Sequence, residues 1–261
     1  MAETDDIETR FRTAGHFTEA LKQGQFTLFC QPIVPVASPA IDYKYLEIFV
    51  RFREEEDKLI PPGTFFPILE AHHLTPLLDR WVVREVLRWA AAKQGAQPNW
   101  NIPRFSINLA DDTLRDKDFA ASVRDQLKAT KIPPNRLWFE MTSAQMAKFP
   151  DAARQTITNL KSLGCPIAVS DFSGIEAVAK GYKDAGVQIV KLAGSVVRNI
   201  HASPDALSKL EELSGCCQKL SMLTVAESVE HAQTLSVLRK IGVSFAQGFG
   251  IALPMSLSQI S

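Results

Sequence analysis

Hydrophobic positions along the chain fall in short runs separated by longer amphipathic stretches. The runs are rich in β-branched and aromatic residues and bounded by turn formers, and they predict eight strands, over 26–36, 45–52, 105–109, 137–141, 166–170, 187–191, 222–226 and 244–247. Most are apolar on both faces, as suits parallel strands covered by helices. Between them, Trp81, Val82, Val86 and Trp89 recur near helical spacing and predict a helix over 81–92. A second is predicted over 151–163, after Pro150, with Gly164 as its stop. Ser203 before Pro204 reads as a helix cap and first-turn proline, followed by Leu207, Leu210 and Leu213 on one face. Strand and helix in alternation predict an α/β fold, a (β/α)8 TIM-like barrel in preference to an open doubly wound sheet. The usual functions of the open sheet need a glycine-rich dinucleotide or phosphate loop, and the chain has neither.

Length and charge narrow the picture. A chain of 261 residues suits one large α/β domain. We read 1–15 as a short N-terminal extension and 16–261 as a single barrel domain, with Phe11 and Phe17 available to pack. The 29 basic and 29 acidic residues cancel, which argues against broad binding to nucleic acid or to an anionic membrane. No secretory signal opens the sequence and no apolar run nears bilayer length, so a cytoplasmic location is expected. Cys30, Cys165, Cys216 and Cys217 lack the spacing of a zinc site or disulfide framework and read as buried thiols. Residues 61–63 and 133–135 read as loops, and 54–57 as an exposed acidic loop. His72, His73 and His231 have no second metal-binding set nearby in sequence.

Candidate chemistry lies where the strands end, which is where a β/α barrel builds its active site. Glu47, Asn108, Glu140, Asp171, Lys191, Glu227 and Gln247 each stand near the end of a different predicted strand. A single strand-end acid is more often a loop solvator or cap than a ligand. Seven polar residues on one face are much harder to explain as structure. Four carboxylates packed together repel unless a cation or protons join them, and an oxygen-rich set suits Mg²⁺ or Mn²⁺.

From about Phe17 to Pro254 these residues resemble the EAL domain, a family of bacterial phosphodiesterases that hydrolyse cyclic di-GMP. Gln31-Pro32-Ile33-Val34 matches its opening QPIV, and Glu47-Ile48-Phe49-Val50-Arg51-Phe52 stands where the family has EALLRW. Asn108-Leu109 matches its NL pair, Glu140-Met141-Thr142 its E-x-T, and Lys191 its strand-end lysine. Ala226-Glu227-Ser228-Val229-Glu230 resembles AEGVE, and Gln247-Gly248 the terminal QG. The resemblance implies metal ligation by Glu47, Asn108, Glu140 and Asp171. It gives Lys191 the attacking water or its phosphate, and Glu227 the role of general base or metal-site partner. It places Gln31, Phe49, Arg51 and Gln247 against the nucleotide.

The departures gather in one place. The family's DDFGTG is Ser170-Asp171-Phe172-Ser173-Gly174-Ile175, so the aspartate that would bridge two cations is Ser170. A neutral hydroxyl is a poor substitute for a carboxylate against hard divalent ions. Ser143 replaces a bracing glutamate, and Leu192-Ala193-Gly194 stands in place of IDR. The resemblance with these changes implies a degenerate domain without turnover, acting as a cyclic di-GMP receptor or a protein-binding regulator. Its alternative is an active Mg²⁺- or Mn²⁺-dependent phosphodiesterase giving linear pGpG. Active relatives pair through surfaces near the altered loop, so the change weakens the expectation of a similar homodimer.

Overall fold

The barrel closes because its first strand is shared between two neighbours. In the computed structural model, which describes residues 7–11, 13–55, 58–198, 200 and 203–260, β1 (Phe26–Pro32) runs straight into β2 (Val34–Pro35). β1 pairs antiparallel with β3 (Tyr45–Glu55), while β2 pairs antiparallel with β10 (Phe245–Ala246). Between these lie β5 (Arg104–Asn108), β6 (Leu137–Thr142), β7 (Ile167–Phe172), β8 (Ile189–Leu192) and β9 (Leu223–Ala226), all parallel from β3 round to β10. Two short strands, β4 (Lys58–Ile60) and β11 (Met255–Ser256), extend the sheet beside β3 and β1.

All eight predicted strands form, with one correction of direction. The first is antiparallel because residues 36–44 reach β3 as a loop, too short to carry the helical crossover that parallel neighbours need. The helix predicted over 81–92 extends to Thr75–Ala96, and that over 151–163 is Pro150–Ser162, with Gly164 beyond it at φ +93°. Ser203 caps Pro204–Lys219 by accepting a hydrogen bond from Ala206 N at 3.3 Å. Pro62, expected in a loop, opens the helix Pro62–Ala71, where its missing N–H costs nothing. Pro134–Arg136 forms a 3₁₀ turn. Glu54 and Glu55 continue β3 into its hairpin with β4, whereas Glu56 and Asp57 lie outside the described residues.

The main core fills the space between sheet and helices. At one end Phe11 and Phe17 are fully buried, and Phe11 meets Phe17, Phe26 and Phe52 at ring-centroid distances of 5.3, 5.7 and 5.1 Å. The N-terminal segment is thus tied to the barrel. The four cysteines are buried and free. Among the described residues no helix is long and apolar enough to cross a membrane.

Inside the barrel the period of two along each strand sorts side chains into layers. The lower layer is apolar: Ile33, Tyr45, Trp138, Ala168, Ile189, Val225 and Phe245 pack against one another. Two residues further towards the carboxyl ends of the parallel strands stand Gln31, Glu47, Ser106, Glu140, Ser170, Lys191, Glu227 and Gln247, the first of these on the antiparallel strand. The fold therefore lays a polar ring on an apolar floor.

Candidate functional site

Lys191 is the hub of this ring. It is 1% exposed, and its Nζ donates to Glu47 Oε2 at 2.7 Å and to Glu140 Oε2 at 3.0 Å, with Glu227 Oε1 at 3.1 Å. Asn108 Nδ2 donates to Glu47 Oε1 at 2.8 Å, and Gln247 Nε2 donates to Glu47 Oε2 at 2.7 Å and to Gln31 Oε1 at 3.0 Å. Ser106 Oγ donates to Glu140 Oε2 at 2.9 Å. Of the candidates read from the sequence, Gln31, Glu47, Asn108, Glu140, Lys191, Glu227 and Gln247 are thus joined in one hydrogen-bonded network.

Three carboxylates surround one ammonium, and their environments differ. Burial opposes ionisation of Glu47, but Lys191 and the donors from Asn108 and Gln247 hold its carboxyl below the ordinary value. Burial pushes Glu140 up to about 7; Lys191 works against that rise, while Glu47 and Glu227 add to it. Burial also opposes charge on Lys191, and the surrounding carboxylates overcome it and hold the ammonium well above its ordinary value. A proton on Glu140 is one way for the ring to shed part of its surplus negative charge.

Ser170 and Asp171 sit differently. Ser170 is buried in the polar ring, and its carbonyl accepts from Ser143 Oγ at 3.0 Å. Asp171 is exposed, at φ +54°, where the β7–β8 register slips between Val169 and Phe172. The one retained aspartate of this segment is thus exposed and lies outside the lining of the cavity described below. Among the described residues no group of three or more acids is placed to hold a metal ion. Glu47 and the Asn108 amide offer hard oxygen donors, yet the Lys191 ammonium takes the space between Glu47 and Glu140. As arranged, the residues do not fit a pair of divalent cations.

Above the ring opens a cavity of about 420 Å³, lined in part by Gln31, Glu47, Phe49, Glu227 and Gln247, within the range of small-molecule sites. Arg51 lies outside that lining. Its Nη1 donates to Val50 O at 2.9 Å, and its guanidinium lies 5.6 Å from the Phe29 ring centre and 6.0 Å from that of Phe49. Ser106, Arg198, Ser228, Glu230 and Phe249 complete the surroundings but were not among the candidates. Ser106 was detectable, standing two residues before Asn108 on one strand. Arg198 and Phe249 lie off the barrel strands and carry no periodic signal.

Comparison with known proteins decides the family. The EAL domain model matches residues 14–254. The chain belongs to the EAL domain family. It is 27% identical over 252 residues to the cyclic di-GMP phosphodiesterase PdeF of Escherichia coli, covering 97% of this chain and 33% of that protein. It is 25% identical over 246 residues to the cyclic di-GMP phosphodiesterase PdeB of Shewanella oneidensis, covering 94% and 28%. The EAL chain thus spans about a third of the length of these curated relatives. In fold it resembles the Xanthomonas citri FimX EAL domain solved in complex with cyclic di-GMP, at TM-score 0.86 and 24% identity, covering 100% of this chain and 98% of that one. The FimX EAL domain of Pseudomonas aeruginosa bound to cyclic di-GMP matches at TM-score 0.82 and 23% identity, over 91% and 94%.

Proposed function

We propose that this EAL domain binds cyclic di-GMP in the cavity over the polar ring and does not hydrolyse it, acting as a nucleotide receptor or a protein-binding regulator. One observation carries the reading: the β7 residue buried at the ring is Ser170, which brings no charge, and Asp171 beside it is exposed and outside the cavity lining. Two-metal hydrolysis needs anionic oxygens that fix both cations against the attacking and leaving oxygens. Here β7 contributes no carboxylate to the ring, so the set is short of the anion that would bridge two cations. Binding makes lesser demands, a cavity with convergent polar groups and an apolar wall. Gln31 and Gln247 supply amides and Phe49 an aromatic face. A cytoplasmic location, and action as a monomer or a homodimer, belong to the same reading.

A second reading, a Mg²⁺- or Mn²⁺-dependent phosphodiesterase giving pGpG, draws on the surplus of carboxylates over ammonium around Lys191. Calorimetric titration with cyclic di-GMP, with and without Mg²⁺ or Mn²⁺, followed by chromatography of the recovered nucleotide, separates the two. Saturable binding with the ligand recovered intact supports the receptor. Metal-dependent conversion to pGpG overturns it in favour of the enzyme. A flat titration rejects nucleotide binding in either form.

A further inference from the structure

The ring beneath the cavity is rich in carboxylates, and Glu230 adds another acid to the wall. A dianionic nucleotide entering it needs a cation that is not already spent. Lys191 is buried under three acids, and Arg51 stands outside the lining. Arg198 is different: it lines the cavity, is exposed, and among the described residues has no carboxylate within ion-pair range.

Its position depends on Gly194. A Cβ built there would strike the Ser228 hydroxyl, come within 2.8 Å of Ser228 Cβ and lie 3.1 Å from Arg198 Nη1. The absent side chain leaves the space into which Ser228 and Arg198, both lining the cavity, reach. Ser228 itself holds φ +55°, a left-handed conformation uncommon for serine. Its segment is pinned to the segment after β10 by Val229 N donating to Gln247 O at 2.9 Å, and by Gly250 N donating to Val229 O at 2.9 Å. Side chain at 228 and none at 194 is thus one packing solution, and it brings a guanidinium to the cavity mouth.

We propose that Arg198, seated over Gly194 beside Ser228, is the residue that binds a phosphodiester oxygen of the nucleotide in this chain. The proposal rests on the nucleotide-binding reading above. A charge-assisted hydrogen bond of this kind is worth about tenfold or more in affinity. Titration calorimetry of the full chain with cyclic di-GMP tests it, comparing Arg198→Ala, Arg198→Lys, Gly194→Ala and Gly194→Ala/Ser228→Gly, with melting temperature as the check on folding. We expect Arg198→Ala to weaken binding about tenfold or more with little change in melting, and Arg198→Lys to retain part of the affinity. Gly194→Ala should also weaken binding, and Ser228→Gly should restore it by clearing the space. Binding by Arg198→Ala within twofold of the unaltered chain overturns the proposal while leaving the receptor reading intact. Failure of the unaltered chain to bind overturns both.

Discussion

Replacing Lys191 with methionine is the most direct perturbation of the polar ring. Methionine is close in length and keeps the stem packed, so the change isolates the charge. What remains are Glu47 and Glu140, both buried, and the partly exposed Glu227, around a position with no cation. Breaking a buried ion pair from one side costs about 3–5 kcal/mol, because the desolvated partner is left uncompensated. An unfolding entropy of about 2.1 cal/mol/K per residue gives roughly 0.5 kcal/mol/K for a chain of 261 residues. The expected loss is therefore about 5–9 °C in melting temperature at pH 8.

Two further features separate this electrostatic account from a packing defect. Lowering the pH towards 5 supplies protons to the stranded carboxylates, so the deficit should shrink. Adding Glu140→Gln to the variant removes one of the mutually repelling acids and should recover part of the loss, a coupling of about 0.5–3 kcal/mol for residues in direct contact. Differential scanning calorimetry of the unaltered chain, the Lys191→Met and Glu140→Gln single variants and the double variant, at pH 5 and pH 8, provides the measurement. A loss under 2 °C at pH 8, or one equal at both pH values, would refute the claim that Lys191 is the counter-charge of this ring.

Two other perturbations probe separate parts of the structure. Glu140 titrates at about 7 when folded against an ordinary value of 4.5, burial being the main cause, so the folded state holds the extra proton between these limits. The corresponding stability is fully present below about pH 4.5 and is lost as pH rises through about 7. Glu47 is shifted the opposite way, and its contribution is lost only towards more acidic pH. Glu140→Gln should accordingly flatten the fall in melting temperature between pH 5 and pH 8, and parallel profiles for the two proteins would dismiss the shift. Phe11→Ala removes a fully buried ring from the cluster with Phe17, Phe26 and Phe52. The expected cost is about 3–5 kcal/mol by chemical denaturation, and a loss below about 1 kcal/mol would mean that the N-terminal segment is dispensable to the barrel.

The fold was legible because its strands announce themselves. An apolar run buried on both faces leaves little else for the chain to do, and the strand-end rule then pointed to Glu47, Asn108, Glu140, Lys191, Glu227 and Gln247 before any coordinate was known. Three things were not legible. The direction of the first strand depends on how far residues 36–44 can travel, which no periodicity encodes. The register slip beside Asp171 is a bulge, which leaves no mark in the composition of the run. The place of Arg198 depends on the pairing of Gly194 with Ser228, two positions 34 apart in sequence that touch only in the folded chain.

The bulge and the ring together make Ser170 a more consequential difference than a single exchanged ligand. Of the adjacent pair Ser170-Asp171, only the first is buried on the strand face that carries Glu140; the second is exposed, beside the register slip. An acid at 171 therefore does not make up for its absence at 170. With no carboxylate from β7, the ring has three acids, and Lys191 is within hydrogen-bonding or ion-pair distance of all of them. The ammonium relieves part of the repulsion among these acids but offers no open coordination position and no activated water. The physical consequence is a barrel end in which one ammonium offsets only part of the charge of three acids, with a cavity above it whose one cation among the described lining residues is Arg198.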